Sequence, residues 1–299
     1  MHNILDTLYN LPIDAFMGQL MLGLINGAFY AMLSLGLALI FGMLNIVNFV
    51  HGAQYMLGAM MAWILLQTLG INYWASLLLA PLIVGAFGLL LERFVLRRVY
   101  ALDPAYGLLL TFGIALLLEG SFRQKLGSSG QPYAIPAELR GGWDLGFMYM
   151  PTYRAWVLVA SITICFAVWY VFERTRLGSY LRAATEKPQL VRAFGIDVSK
   201  MINLTYGLGV ALAAVAGVLA APIYQVSPLM GSNIIIVVFA VVVIGGLGSM
   251  SGAIVSGFLV GFVEGLTKVF YPAASSTVVF VLMACVLLVK PAGLFGRRA

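Results

Sequence analysis

The sequence predicts an all-α polytopic membrane protein, and three observations carry that prediction. Of 299 residues, 62% are hydrophobic and only 9% charged, against about 25% charged in an ordinary soluble domain. The apolar residues fall into runs of roughly 20, the length that crosses a hydrocarbon core about 30 Å thick. The basic residues gather between those runs rather than inside them. A chain this apolar cannot cover itself with polar surface in water, so lipid is its solvent.

The runs, in order, are 17–41, 43–67, 73–91, 105–122, 154–172, 203–222, 233–248, 251–267 and 275–290. The first two almost touch, and the seventh and eighth meet at GGLGSMSG. Eight or nine spans are therefore expected, with the short interrupted segments open to being half-helices. Residues 1–299 read as a single transmembrane domain. In a nine-span arrangement, twelve of the 17 Lys and Arg residues share one side. They are Arg93, Arg97 and Arg98; Arg174, Arg176, Arg182, Lys187, Arg192 and Lys200; and Lys290, Arg297 and Arg298. Positive charge stays on the cytoplasmic side, which predicts a cytoplasmic C-terminus and an outward N-terminus. The N-terminus is expected to be retained, since no basic residue of the kind a signal peptide carries precedes Arg93. Arg123, Lys125, Arg140, Arg154 and Lys268 fall on the other side. The stretch 123–153 holds Gly, Pro, Tyr and Trp without a periodic run, and is expected to be an ordered external loop. The net charge of +6 follows from this topology and requires no nucleic acid. Cys165 and Cys285 lie inside apolar runs and are expected to be buried packing thiols.

Three stretches carry the informative polarity. The first, 173–200, is a polar elbow between long apolar runs. Pro188 divides it, because the residue before a proline leaves the helical region while proline suits a first helical turn. The spacing predicts a helix near 179–186 and a second from Pro188 to Phe194, closed by a left-handed Gly195. Such an elbow is either a solvated loop or a docking element. The second stretch is FGMLNIVNFVHGAQYMLGA, 41–59. Continued as a helix, it aligns Asn48, His51 and Tyr55, with Asn45 and Gly52 beside them. Hydrocarbon offers no partner to these groups, so Asn48 and His51 are expected to face the interior of the bundle. The third, 242–261, is dense in glycine. Glycines such as Gly245, Gly246 and Gly248 either bring helices close or break a helix beside a cavity. The second and third stretches flank the elbow, one in each half of the chain.

Two other classes compete. An ion-coupled secondary transporter of a small polar solute needs carboxylates near mid-membrane. No acid stands at the centre of a run: Glu119 and Glu264 lie near ends, and Glu264 stands i, i+4 from Lys268 as a structural pair. An intramembrane enzyme needs a nucleophile or a metal. Ser249 and Ser251 do not fit G-x-S-x-G, and His51 has no second histidine within a run. Nothing matches G-x-x-x-x-G-K-[ST] either, so any ATP chemistry must belong to another chain.

Four segments together resemble one family. NIVNFVHGAQYMLGA is similar to the N-terminal signature of branched-chain amino acid ABC-importer permeases. RAATEKPQLVRAFGID, 182–197, resembles that family's ATPase-contacting motif. GGLGSMSGAIVSGFLVGFVEGL, 245–266, and KPAGLFG, 290–296, resemble its C-terminal signature. The resemblance runs from Gly23 to Gly296. It implies a type II ABC importer-like fold with two pseudo-symmetric halves. It implies a permease paired with a homologous second permease, two cytoplasmic ATPases and a periplasmic binding protein in the bacterial inner membrane. No catalytic residue and no cofactor belong to this chain; ATP and Mg sit on the partner ATPase. The implied coupling helix places Arg182, Ala183, Ala184 and Glu186 before the turn at Pro188, and Ala193, Gly195 and Ile196 after it. The implied substrate path runs past Asn45, Asn48, His51, Gly52, Gln54, Gly245, Gly246 and Gly248. Many relatives have an acidic or aromatic residue where this chain has Gln54. The neutral side chain argues against a charged-substrate partner at that position, and branched-chain amino acids, other amino acids, urea, amides and aromatic acids all stay open.

Overall fold

The computed structural model describes residues 13–44, 47–100 and 102–296. Within them run eleven α-helices: α1 (Ile13–Leu44), α2 (Val50–Leu69), α3 (Tyr73–Phe94), α4 (Pro104–Leu126), α5 (Thr152–Arg174), α6 (Arg176–Glu186), α7 (Pro188–Ala193), α8 (Val198–Tyr224), α9 (Met230–Gly245), α10 (Met250–Phe270) and α11 (Val278–Val289). Each of the nine apolar runs has become one helix, and the elbow has become α6 and α7. Six helices are long and apolar enough to cross a membrane: α1, α3, α4, α5, α8 and α10. Helices α9 and α11 are shorter. At 1.5 Å per residue they reach only about 24 and 18 Å, less than the hydrocarbon thickness.

Helix α8 is the central post, packed on α1, α2 and α3. Its sequence explains this position: Ala213, Ala214, Ala216, Gly217, Ala220 and Ala221 give it a slender, fully buried waist. Small residues let backbones approach in a membrane, where dispersion rather than hydrophobicity holds helices together. Helix α1 lies along α10 by the same device. A Cβ on Gly261 would stand 2.4 Å from the Cα of Gly27. Ser34 adds a hydrogen bond across the pair to the carbonyl of Ala253, at 3.1 Å. The outer faces of α3 and α4 stay bare and apolar, with Leu78, Leu82, Leu109 and Leu117 exposed. That is the surface hydrocarbon solvates.

Between α4 and α5 lies a small two-stranded structure. Strands β1 (Gly142–Asp144) and β2 (Tyr149–Pro151) pair antiparallel, with Trp143 opposite Met150. Gln131 bridges to Val226, just past the end of α8. To make that turn Gln225 adopts φ 62°, a left-handed conformation rare outside glycine. The opposite end of α8 begins at Asp197, whose carboxylate caps the helix through the N–H of Lys200 at 3.1 Å. That N–H holds the Asp197 carboxyl below its ordinary range. The cap is therefore present above the usual carboxylate pKa and is lost as pH falls through the lowered one. Asp197 and Gln131 thus stand at opposite ends of a helix of about 40 Å.

One expectation changes. Cys165 is buried, but Cys285 is exposed: α11 fully buries only Val279, packs Val278, Leu282, Met283 and Val286 partly against its neighbours, and turns Cys285 outward. The stretch 41–59, read as an interrupted segment, is not one helix: α1 ends at Leu44 and α2 begins at Val50.

Candidate transport and coupling sites

Because the helix is broken before Val50, Asn48 precedes α2 and does not extend its stripe. It still joins the same cluster. Tyr206 of α8 accepts from Gln54 Nε2 at 2.9 Å and from Asn48 Nδ2 at 3.3 Å. His51 Nε2 meets the Leu33 carbonyl of α1 at 3.0 Å. All three polar side chains are buried, His51 and Gln54 completely. Both Asn48 and His51 therefore face the bundle interior, as the cost of bare polar groups in hydrocarbon requires. Each also keeps one buried atom without a partner among the described residues, namely Asn48 Oδ1, His51 Nδ1 and Gln54 Oε1. The cluster ties α1, α2 and α8 together. Gly52 sits against α9, where a Cβ would stand 2.6 Å from the Gly231 carbonyl. Asn45 lies outside the described residues.

The glycines from Gly245 onward form a tight reversal between α9 and α10. Gly246 and Gly248 take φ of 102° and 80°, values that favour glycine. Ser249 then caps α10 through the Gly252 N–H at 3.1 Å. The C-terminal segment folds back onto this turn, with Leu294 N–H donating to Ile244 O at 2.8 Å and Phe295 N–H to Gly245 O at 3.0 Å. Two stretches separated in sequence, 245–248 and 290–296, are thus one structural unit. Gly248 also touches α1 at Gly42.

The elbow is two helices around a bend. Lys187 leaves the helical region with φ −139° and ψ 69°, as a residue before proline must. Gly195 closes α7 at φ 80°, and Ile196 N–H bonds back to Val191 O at 3.3 Å. Helix α6 folds against the end of α5 because Gly178 leaves no Cβ to strike the Phe172 carbonyl. Arg182 fastens this contact, donating to Phe172 O at 2.7 Å and pairing with Glu173 at 3.3 Å. Arg182 thus braces α6 to α5. The alanines divide as well. Ala184 is buried with Val191 and Val198 in a small core of the elbow, whereas Ala183 and Ala193 are exposed. Ile196 packs against that core. Leu177, Tyr180, Leu190 and Phe194 are exposed beside Ala183 and Ala193, an apolar surface outside the bundle. Glu186 and Pro188 lie at the bend between the helices.

A family model described as "Branched-chain amino acid transport system / permease component" matches residues 19–288. The chain belongs to this permease family. High-affinity branched-chain amino acid permease LivH of Escherichia coli is 30% identical over 94% of this chain and 96% of its own length. BraD of Pseudomonas aeruginosa is 31% identical over 94% and 96%. A probable LivH of Methanocaldococcus jannaschii is 28% identical over 89% and 88%. The family places the chain among ABC-transporter permeases, transport subunits of a membrane.

The permease also holds polar groups that sequence reasoning passed over. Glu92 follows directly on the apolar run 73–91. It is completely buried. Tyr100 donates to its Oε1 at 3.1 Å, and Asn203 of α8 donates to Oε2 at 2.5 Å. The signal was available in the lone acid beside Arg93, but its partner lies more than 100 residues away. Glu92 joins α3 to the end of α8 nearest the elbow. We expect Glu92→Ala to orphan two donors at roughly 1–3 kcal/mol each, while Glu92→Gln keeps an acceptor and loses less. Thermal unfolding of the detergent-purified permease checks the order. Glu119, assigned no function from sequence, accepts from Ser232 at 2.7 Å and links α4 to α9.

Proposed function

We propose that this chain is the inner-membrane permease subunit of an ATP-driven importer for branched-chain or related amino acids. It pairs with a homologous second permease, receives substrate from a periplasmic binding protein, and is energised by two cytoplasmic ATPases that hold ATP and Mg. The N-terminus and the 123–153 loop face the periplasm; the elbow and the C-terminus face the cytoplasm, in keeping with the clustered basic residues.

The observation that carries this reading is the elbow. It is a braced, compact unit that presents apolar side chains away from the bundle, a surface that water does not favour and a partner protein would cover. Closure of the ATPases is passed through α6 and α7 to α5 and α8, the helices they join. Asn48, His51 and Gln54 act behind the substrate path, holding α1, α2 and α8 in the packing that rocks around it. Gly245, Gly246 and Gly248 form the reversal on which α9 and α10 turn. Copurification tests the assembly. The chain extracted gently from native membranes is expected to bring two ATP-hydrolysing subunits with each copy. Solute uptake driven by an ion gradient, with no ATPase attached, contradicts the proposal and favours a secondary transporter.

A further inference from the structure

A cavity of about 400 Å³ opens among α1, α2, α9, α10 and the end of α8. Tyr224 lies on its wall, two residues from Val226 and its bridge to Gln131. The cavity therefore sits toward the end of the bundle that carries the external loop. Two kinds of surface line it. Phe29, Ile234 and Val237 are apolar, and opposite chemistry comes from Tyr30, Glu264 and Lys268. Glu264 accepts from Tyr30 at 2.8 Å and from Lys268 at 2.5 Å. The side chain of Glu264 is 12% exposed and that of Lys268 35% exposed.

An ion pair in this place is costly, because both charges leave bulk water. As a brace for α10 alone it is poorly placed, since i, i+4 pairs stabilise a helix by only a few tenths of a kcal/mol. A neutral polyol would be served by tyrosine and asparagine without any charge. A lone anion would also face the Glu264 carboxylate, and a lone cation the Lys268 ammonium, each a charge of its own sign. The group complementary to this wall is one that carries both charges a few ångströms apart with no net charge. An ammonium offers three donors and a carboxylate about four acceptor positions, so both partners keep bonding capacity while paired. An aliphatic side chain on the same ligand matches the apolar wall.

We propose that Glu264 and Lys268 form a receiving site for a zwitterionic α-amino acid on its way through the membrane. Lys268 takes the α-carboxylate, Glu264 takes the α-ammonium, and Phe29, Ile234 and Val237 take the aliphatic side chain. The inference rests on the amino-acid importer reading and assigns that substrate a place on this chain. The site is one of passage. Its charges already satisfy each other, so a ligand exchanges one pairing for another and leaves without facing a deep well.

The test uses the complete complex with its binding protein in proteoliposomes. Glu264→Gln and Lys268→Met are each expected to lower uptake roughly tenfold, the factor for one lost charged hydrogen bond. Both variants should insert at the parental level. The exchanged pair, Glu264→Lys with Lys268→Glu, restores the ion pair but would hold the zwitterion back to front, with its side chain turned from the apolar wall. It should stay impaired. Normal uptake by the exchanged pair means that the two residues are only a brace and overturns the inference. A second readout does not depend on transport. Asn233→Cys places a thiol on the cavity wall, in a background with Cys165→Ser and Cys285→Ser. Millimolar leucine should protect it from maleimide. Isoamylamine and 4-methylpentanoate, which carry one charge each, should not. Equal protection by either analogue, or none by leucine, overturns the site while leaving the importer reading intact. A parent complex with no ATP-dependent amino-acid uptake overturns both.

Discussion

Gly58→Leu is expected to abolish the assembled permease. Gly58 of α2 faces α8 so closely that a Cβ would stand 2.2 Å from the Ala214 carbonyl oxygen and 2.4 Å from its Cα. These are backbone atoms of a buried helix, so no side chain can rotate away to make room. From the other side, a Cβ on Gly217 would stand 2.0 Å from the Tyr55 carbonyl. The two helices can accept leucine only by separating along their length. Separation would also break the bonds from Gln54 and Asn48 to Tyr206. The cost therefore exceeds the roughly 1–3 kcal/mol of ordinary overpacking. Membrane levels of full-length protein and its elution as a single species in detergent report the outcome; a normal profile would mean that α2 and α8 do not meet as described.

The second large effect is expected at the elbow surface. Leu190 and Phe194 are 53% and 77% exposed, and neither supports the small core formed by Ala184, Val191 and Val198. Changing both to aspartate leaves the fold of α6 and α7 in place and puts charge on the apolar face. A desolvated charge without a partner at an interface costs several kcal/mol, enough to release a partner ATPase. The variant should insert at the parental level and lose ATP-driven uptake almost completely. Ala184→Trp is a poorer probe, because that alanine is buried and tryptophan would burst the elbow from within. Gly195→Val lies between these cases. Nothing stands within 4 Å of an added Cβ there, so its cost of about 1 kcal/mol or more comes from the left-handed backbone alone.

The order of helices was legible because each needs a run of apolar residues, and runs survive in one dimension. The bend at Pro188 and the stop at Gly195 were legible for a related reason: each is a property of one or two residues. What pairs across the fold was not legible. Arg182 pairs with Glu173, nine residues back, brought near by the reversal at Gly178. Ala183 and Ala184 look alike in sequence, and only the packing of α6 on α8 decides which is buried. Asn48, His51 and Gln54 announced themselves as polar groups in an apolar run. Tyr206, the acceptor that Asn48 and Gln54 share, did not, since a tyrosine in such a run is unremarked until its hydroxyl is placed. Glu92 and the cavity beside Glu264 and Lys268 were hidden for the same reason, each being assembled from helices distant in sequence.

The central claim is that ATP hydrolysed by a partner drives solute through this chain by way of the elbow. The most direct measurement is uptake of labelled leucine by proteoliposomes holding the complete complex, with and without enclosed ATP, for the parent and for Leu190→Asp with Phe194→Asp. The account predicts uptake in the parent only when ATP is present, and almost none in the double variant despite equal insertion. Uptake by the parent without ATP, or ATP-driven uptake by the double variant at the parental rate, would contradict it.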